Sequence, residues 1–472
     1  MSPIHAVPTV RPRSPRRRAS RRAALALLGA TLAVPAARAT DLAEVYARAR
    51  DHDATLQAAI HDYEAARQQL PLARSAFRPQ LNAGADLGLG YFSSDASAAL
   101  GPDAEEDEVY NTSGITLSAS QTLFNRTNGA LLDQARLGVR QADAEFLAVE
   151  QTLILRVAAA YFDVLRAQAD VEFSQSELQA IARQREQAER RFDVGLVPLT
   201  DVRSAQAQYD LAVAQEIAAS NRLSTAREAL RVISGVDADL LAALAPDLPL
   251  ASPDPADIDA WVRLATEQNL ELVGARLATE IAATQVDVER GARWPTLDLV
   301  GSASTTQTDQ TGRADADVAE LALQLRMPLY TGGRIGAQVA QARARAASAS
   351  EQLVARERAA TQQARDGYRG VQASISRVRA LRQALVSTQQ SAEATEAGFR
   401  AGTRTSIEVL QALRDVFRAR SDYAGARYDY LINTLNLKAA AGTLEESDID
   451  AINRFLVPVD RPDEKGADEG DS

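Results

Sequence analysis

Few side chains in the 472-residue chain are able to do chemistry, and those that stand out are charges beside two similar phrases. RFDVGLVPLTDV (191–202) carries Asp201, and GFRAGTRTSIEVL (398–410) carries Arg404 and Glu408. An acid in one copy and a base in the other suit an ion pair to a neighbouring hairpin or a partner chain, although the ordinary fate of any one such charge is to sit in water. Other chemistry lacks material. Cysteine is absent, and beyond residue 39 only His52 and His61 remain, nine apart and on opposite sides of any shared helix. There is no G-x-x-x-x-G-K-[ST] loop to hydrolyse nucleotide. The acids are spread along helical stretches, unlike the facing carboxylates of a glycosidase. The expectation is a protein that is not an enzyme, with no catalytic residues, no metal site and no cofactor.

The elements holding those charges are long helices joined by tight turns. Gly195 and Gly402 each end one helical stretch and precede another, where a glycine takes the left-handed conformation that closes a helix. Turn chemistry alone would account for both glycines. Thr405 and Glu408 have capping-box spacing, and Pro198 takes the place of Thr405 in the first copy, acceptable near a helix start. No proline falls between Pro102 and Pro198 or between Pro328 and Pro458, and both stretches are rich in Ala, Gln, Arg, Glu and Leu. This predicts helices over 128–194, 200–235, 333–400 and 405–440. The first would rise roughly 100 Å at about 1.5 Å per residue.

The two phrases belong to a larger duplication. DLAEVYARARDHDATLQAA (41–59) lies on DIDAWVRLATEQNLELVGA (257–275) without a gap, and the same offset carries Pro79 onto Pro295 and Leu81 onto Leu297. SQTLFNRTNG (120–129) answers RMPLYTGGRI (326–335), and Gly235 answers Gly442. The chain therefore divides into a first repeat, 40–250, and a second, 251–458.

Each repeat also contains alternating text. Leu81, Ala83, Ala85, Leu87, Leu89 and Tyr91 alternate with Asn82, Gly84, Asp86, Gly88 and Gly90. A partner run comes next at Ile115, Leu117, Ala119 and Leu123, broken at Gln121; the second repeat has Leu297 and Leu299, then Ala319 to Leu329. Strands are expected over 80–96, 112–124, 296–307 and 317–330, about the length that crosses a bilayer at a tilt. Two soluble hairpins with one greasy face each are the alternative. Four strands are too few to close a barrel, so in lipid several chains would have to share one.

The first 39 residues read as a secretory signal peptide: seven arginines, an apolar stretch over 23–36, then Ala37-Arg38-Ala39. That stretch is short of the roughly 20 residues a spanning helix needs. Without this segment, which holds eight arginines and no acids, the formal charge moves from −11 to −19, a poor basis for binding nucleic acid. Residues 459–472 read as an acidic disordered tail.

Over essentially the whole mature length the chain resembles the TolC-like outer-membrane efflux proteins. The resemblance rests on Pro79 and Pro295, Leu329-Tyr330-Thr331-Gly332-Gly333, the two turn phrases, and YDYLINTLNLKAAAGTL (428–444). It implies a mixed α+β membrane protein forming a homotrimer, with four strands per chain in a shared 12-stranded β-barrel in outer-membrane lipid. It also implies that very long helices form a periplasmic α-barrel, with an equatorial region near the repeat junction and the C-terminus. It implies a passive exit duct of a tripartite efflux pump or type I secretion system. By the same resemblance, a periplasmic adaptor (membrane fusion) protein joined to an inner-membrane pump or secretion ATPase is expected to open the duct. Asp201 and Arg404 match the gate-holding charges, with Thr200 and Phe399 beside them; Phe399 stands where a tyrosine is common. Glu408 matches an acidic pore-lining position, Gln411 stands where a second acid can occur, and Gly195, Leu196, Gly402 and Thr403 match the adaptor-docking tip. The rival reading is a periplasmic coiled-coil scaffold or adaptor outside the membrane, which explains the helices and not the strands.

Overall fold

The computed structural model describes residues 39–93, 107–237, 240–310 and 313–458; the expected signal peptide up to Arg38, the end of the expected first strand (94–96) and the tail 459–472 lie outside them. The first repeat runs α1 (Leu42–His52), α2 (Ala54–Ser75), β1 (Gln80–Ser93), β2 (Asp107–Phe124), α3 (Arg126–Asp193), α4 (Leu199–Ser234) and the short β3 (Ala243–Leu244). The second runs α5 (Ile258–Gln268), α6 (Leu270–Gly291), β4 (Thr296–Thr308), β5 (Ala316–Arg326), α7 (Arg334–Arg400) and α8 (Ser406–Ala440), closing with α9 (Glu446–Asn453) and β6 (Leu456–Val457). The duplication shows in the lengths. Helices α1 and α5 have 11 residues, α2 and α6 have 22, α3 and α7 have 68 and 67, α4 and α8 have 36 and 35.

Equivalent caps start equivalent helices. Asp41 accepts from the Glu44 amide ahead of α1, and Asp257 accepts from Asp259 and Ala260 ahead of α5; Asp53 and Asn269 do the same for α2 and α6. Gly442, at φ 73°, ends the last long helix against the α5–α6 junction. A Cβ there would lie 2.1 Å from the Gln268 carbonyl oxygen, so only glycine fits.

Strands β1 to β5, leaving out β3, form one antiparallel sheet in the order β1-β2-β4-β5, so the repeats join edge to edge at β2–β4. The register separates two faces. Leu81, Ala83 and Ala85 stand opposite Ala119, Leu117 and Ile115, and Leu297, Leu299 and Gly301 opposite Leu325, Leu323 and Leu321. The other face carries Asn82 opposite Ser118, Ser118 opposite Ser302 and Ser302 opposite Glu320. In the single chain the apolar face is bare: Leu87 is 89 % and Leu321 77 % exposed. Apolar-out and polar-in alternation is the pattern of a membrane barrel wall.

Two strand boundaries differ from expectation. β2 begins at Asp107 instead of 112, and β5 stops at Arg326 instead of continuing to 330. Pro328 has no N–H to extend a ladder. Leu329 and Tyr330 leave the sheet in the turn that Gly332 (φ 59°) and Gly333 (φ 84°) close. Gln121, which interrupts the alternation, stays in register opposite Leu299 and donates to the Phe77 carbonyl at 3.5 Å; a bulge lies just beyond it, between Thr122 and Phe124.

The main core lies where α1, α4, α8 and α9 pack around the middle of α3. Leu153, Val157, Tyr161 and Phe162 of α3 are fully buried with Leu42, Leu435 and Leu437. Thr40 bridges in parallel to Leu241, and β3 pairs with β6. The Tyr161 hydroxyl donates to the Ala242 carbonyl at 2.8 Å and reaches the Thr40 carbonyl at 3.3 Å, tying this girdle to the long helix.

Candidate gate at the helical tip

The long helices carry the chain roughly 100 Å from the sheet, at about 1.5 Å per residue, to two turns of one construction. In the first, the Gly195 amide bonds the Phe192 carbonyl at 2.8 Å and the Leu196 amide the Arg191 carbonyl at 2.8 Å. In the second, the Gly402 amide bonds the Phe399 carbonyl at 3.1 Å and the Thr403 amide the Gly398 carbonyl at 2.9 Å. With φ of 75° at Gly195 and 77° at Gly402, both are left-handed helix terminations that satisfy the last carbonyls of α3 and α7. Leu196 is exposed at the tip of its hairpin, and the Thr403 hydroxyl folds back on the Gly398 carbonyl at 3.0 Å.

The helices leaving the two turns start differently. α8 starts from a complete capping box: the Glu408 amide donates to Thr405 Oγ1 at 3.3 Å, and the Thr405 amide donates to Glu408 Oε2 at 2.7 Å. Arg404 Nη1 adds a bond to Glu408 Oε1 at 2.9 Å. The Thr405 amide, then the Arg404 guanidinium and the Thr405 hydroxyl, hold the Glu408 carboxyl below the usual glutamate range. α4 starts at Pro198 without a side-chain cap, and its first turn presents Thr200 and Asp201, a carboxylate where the helix dipole favours one.

Within one chain, Arg404 therefore meets Glu408 and not Asp201, and among the described residues Asp201 has no ion-pair partner. Gly398 makes Arg404's position possible: a Cβ there would lie 2.7 Å from Arg404 Cγ. Gln411, one turn beyond Glu408, borders a groove of about 750 Å³ between the α3–α4 hairpin and α8, with Ser204, Gln208, Glu177 and Arg414. Arg414 crosses it, bonding Gln208 at 2.9 Å and Glu177 at 3.2 Å.

Phe399 is 9 % exposed, whereas Phe192, its equivalent in the first turn, is 40 % exposed. The difference is a cover. The guanidinium carbon of Arg191 lies 4.4 Å from the Phe399 ring centroid, joining the end of α3 to the end of α7. The sequence offers no signal for this contact, because its two partners are separated by a full repeat. Among the described residues no group of three or more His, Cys, Asp or Glu is placed to hold a metal, and no helix is long and apolar enough to cross a membrane.

Comparison with known proteins agrees with this architecture. The family model "Outer membrane efflux protein" matches residues 45–236 and 261–443, one block in each repeat. The chain is 37 % identical over 423 residues to the outer membrane protein TolC of Vibrio cholerae, covering 89 % of this chain and 94 % of that protein. It is 30 % identical over 431 residues to the alkaline protease secretion protein AprF of Pseudomonas aeruginosa, covering 90 % of this chain and 89 % of that one. The fold matches the crystal structure of the outer membrane protein VceC of Vibrio cholerae with a TM-score of 0.72 at 22 % identity, over 85 % of this chain and 96 % of that one. The chain belongs to the outer membrane efflux protein family, whose members are outer-membrane channels and not enzymes, and it is an efflux or secretion exit duct with a large periplasmic part.

Proposed function

We propose that three copies of the chain form one passive duct, closed at rest by the helical tip and opened when a periplasmic adaptor docks there. The observation that carries this reading is the sheet. Its four strands present a bare apolar face, and its outer strands β1 and β5 each have an unpaired edge. An open edge in hydrocarbon leaves backbone groups without partners, so neighbouring copies must supply them. Three copies of four strands give twelve, within the range of membrane barrels.

At the other end, Asp201 has no ion-pair partner among the described residues, and Arg404 is an exposed cation on the other hairpin. A link from Asp201 of one coil to Arg404 of the next would hold the coils together at a cost that an adaptor can overcome. Exposed ion pairs are worth only about 0–1 kcal/mol each. Gly195, Leu196, Gly402 and Thr403 form the surface the adaptor would contact, and Glu408 lines the constriction with Gln411. Energy comes from an inner-membrane pump or secretion ATPase. That the relatives include a protein named for alkaline protease secretion supports a secretion partner as much as an efflux pump.

The test is single-channel conductance in planar bilayers. Asp201→Ala combined with Arg404→Ala should raise it about twofold or more, as expected from losing up to about 1 kcal/mol per copy. A wild-type conductance from the folded double variant would remove these residues from the gate.

A further inference from the structure

The gate reading rests on charges, yet the contact that ties the last turn of α3 to the last turn of α7, beside the two glycine turns, is not an ion pair. It is Arg191 over Phe399, 4.4 Å from guanidinium carbon to ring centroid. The two turns superpose in sequence so that Arg191 is the equivalent of Gly398 and Phe192 of Phe399, and the structure treats the equivalents oppositely. In the second turn the missing side chain at Gly398 admits the stem of Arg404. In the first, Arg191 is present and reaches across. Phe399 is consequently buried while Phe192 is not.

Arg191 is free for this role. Its neighbour Arg190 pairs with Glu186 on the same helix, but among the described residues Arg191 has no carboxylate partner. A guanidinium without a carboxylate, stacked on a largely buried ring, is held by the electrostatic attraction of the ring face and by the apolar contact of its own plane. The contact lies one turn of helix before both glycine turns. Any motion that swings the α7–α8 hairpin away from the α3–α4 hairpin at the tip must break it.

We infer that Arg191 is a positioning residue of the gate, clamping the two hairpins of each chain together through the face of Phe399 and so setting how readily the tip opens. The inference rests on the reading of the tip as the gate. It adds a clamp within the chain to the Asp201–Arg404 link proposed between coils. Phenylalanine has no hydroxyl with which to bond a neighbour, and the ring face supplies the attachment instead.

The experiment is single-channel recording in planar bilayers with the full-length protein, reading the ratio of open to closed time. Arg191→Gln and Phe399→Leu should each raise that ratio about two- to fivefold, the range expected for a partly exposed cation–π contact. The double variant should open no more than the stronger single, because both remove one contact. Arg191→Lys keeps a cation and Phe399→Tyr keeps the ring, so both should stay nearer wild type than Arg191→Gln and Phe399→Leu do. A merely structural role would lower the melting temperature without moving the open ratio, and that result overturns the inference. So does a wild-type ratio for Arg191→Gln, or full additivity in the double variant. Asp201→Ala with Arg404→Ala, run alongside, separates the two readings. If that variant opens and Arg191→Gln does not, the gate stands and the clamp falls; if neither opens, both fall.

Discussion

At the tip, single side chains are shared between tasks. Glu408 caps α8 and pins Arg404, and in the proposed duct it also presents charge to the constriction. A ring of such carboxylates favours cations, so Glu408→Gln should reduce the cation-over-anion permeability ratio about twofold or more, measured as reversal potential across a salt gradient. The pH dependence is set by the bonds that depress its pKa. The capping and pairing are fully present above the ordinary glutamate value of 4.5 and are lost only as pH falls through the lower folded value. Cation preference should therefore persist at pH 4.5, and a loss already complete at that pH would mean the carboxyl is not held as described. Gly398→Ala tests the packing of Arg404 separately. The added Cβ meets Arg404 Cγ at 2.7 Å, so the guanidinium must move, and conductance should rise roughly twofold. The types of these residues were legible in the sequence, since Gly195, Gly402, Thr405 and Glu408 act through neighbours only a few positions away. Arg404 bonding Glu408 is likewise an i,i+4 contact, whereas Arg191 covering Phe399 depends on how the assembled hairpins pack. Spacing along the chain does not carry that information.

The elements read from the sequence to the extent that local rules set their ends. Glycine stops α3 and α7 because only a left-handed residue closes those turns, and alternation exposes the strands because their two faces meet different media. Pro328 ended β5 earlier than its apolar run suggests, since a missing donor outweighs hydropathy. The joining of β2 to β4, and of Thr40 to Leu241 and β3 to β6, involves partners far apart in the chain that no local pattern names. Asp53 shows how much one such contact holds. It is 4 % exposed, caps α2 through the Leu56 amide and pairs with Arg156 of α3 at 2.8 Å. Burial pushes its pKa up, but the bond from Arg156 and the amides of Leu56 and Thr55 together bring it below the usual aspartate range. Asp53→Ala should cost about 2–3 kcal/mol in thermal or denaturant unfolding at neutral pH. That difference should shrink only as pH falls below the ordinary aspartate value of 3.8. A cost that is unchanged in acid would show that the contribution is packing and not charge.

For the whole molecule, two repeats of matching helix lengths explain how one chain supplies both a membrane wall and a long periplasmic conduit. The rival reading, a soluble coiled-coil scaffold, leaves a four-stranded sheet with leucines such as Leu87 and Leu321 facing water. The sheet accounts for the membrane, and the proposed shared barrel pairs its two open edges with other copies. Family membership was legible from the order of the motifs, whereas the number of chains is not written in any one of them, because it is set by how far each sheet must curve to meet the next. The most direct test is native mass spectrometry of the detergent-extracted protein. Three chains per particle, with membrane extraction requiring detergent, is the predicted result; a single chain, or release by high salt or alkali alone, would contradict the shared barrel.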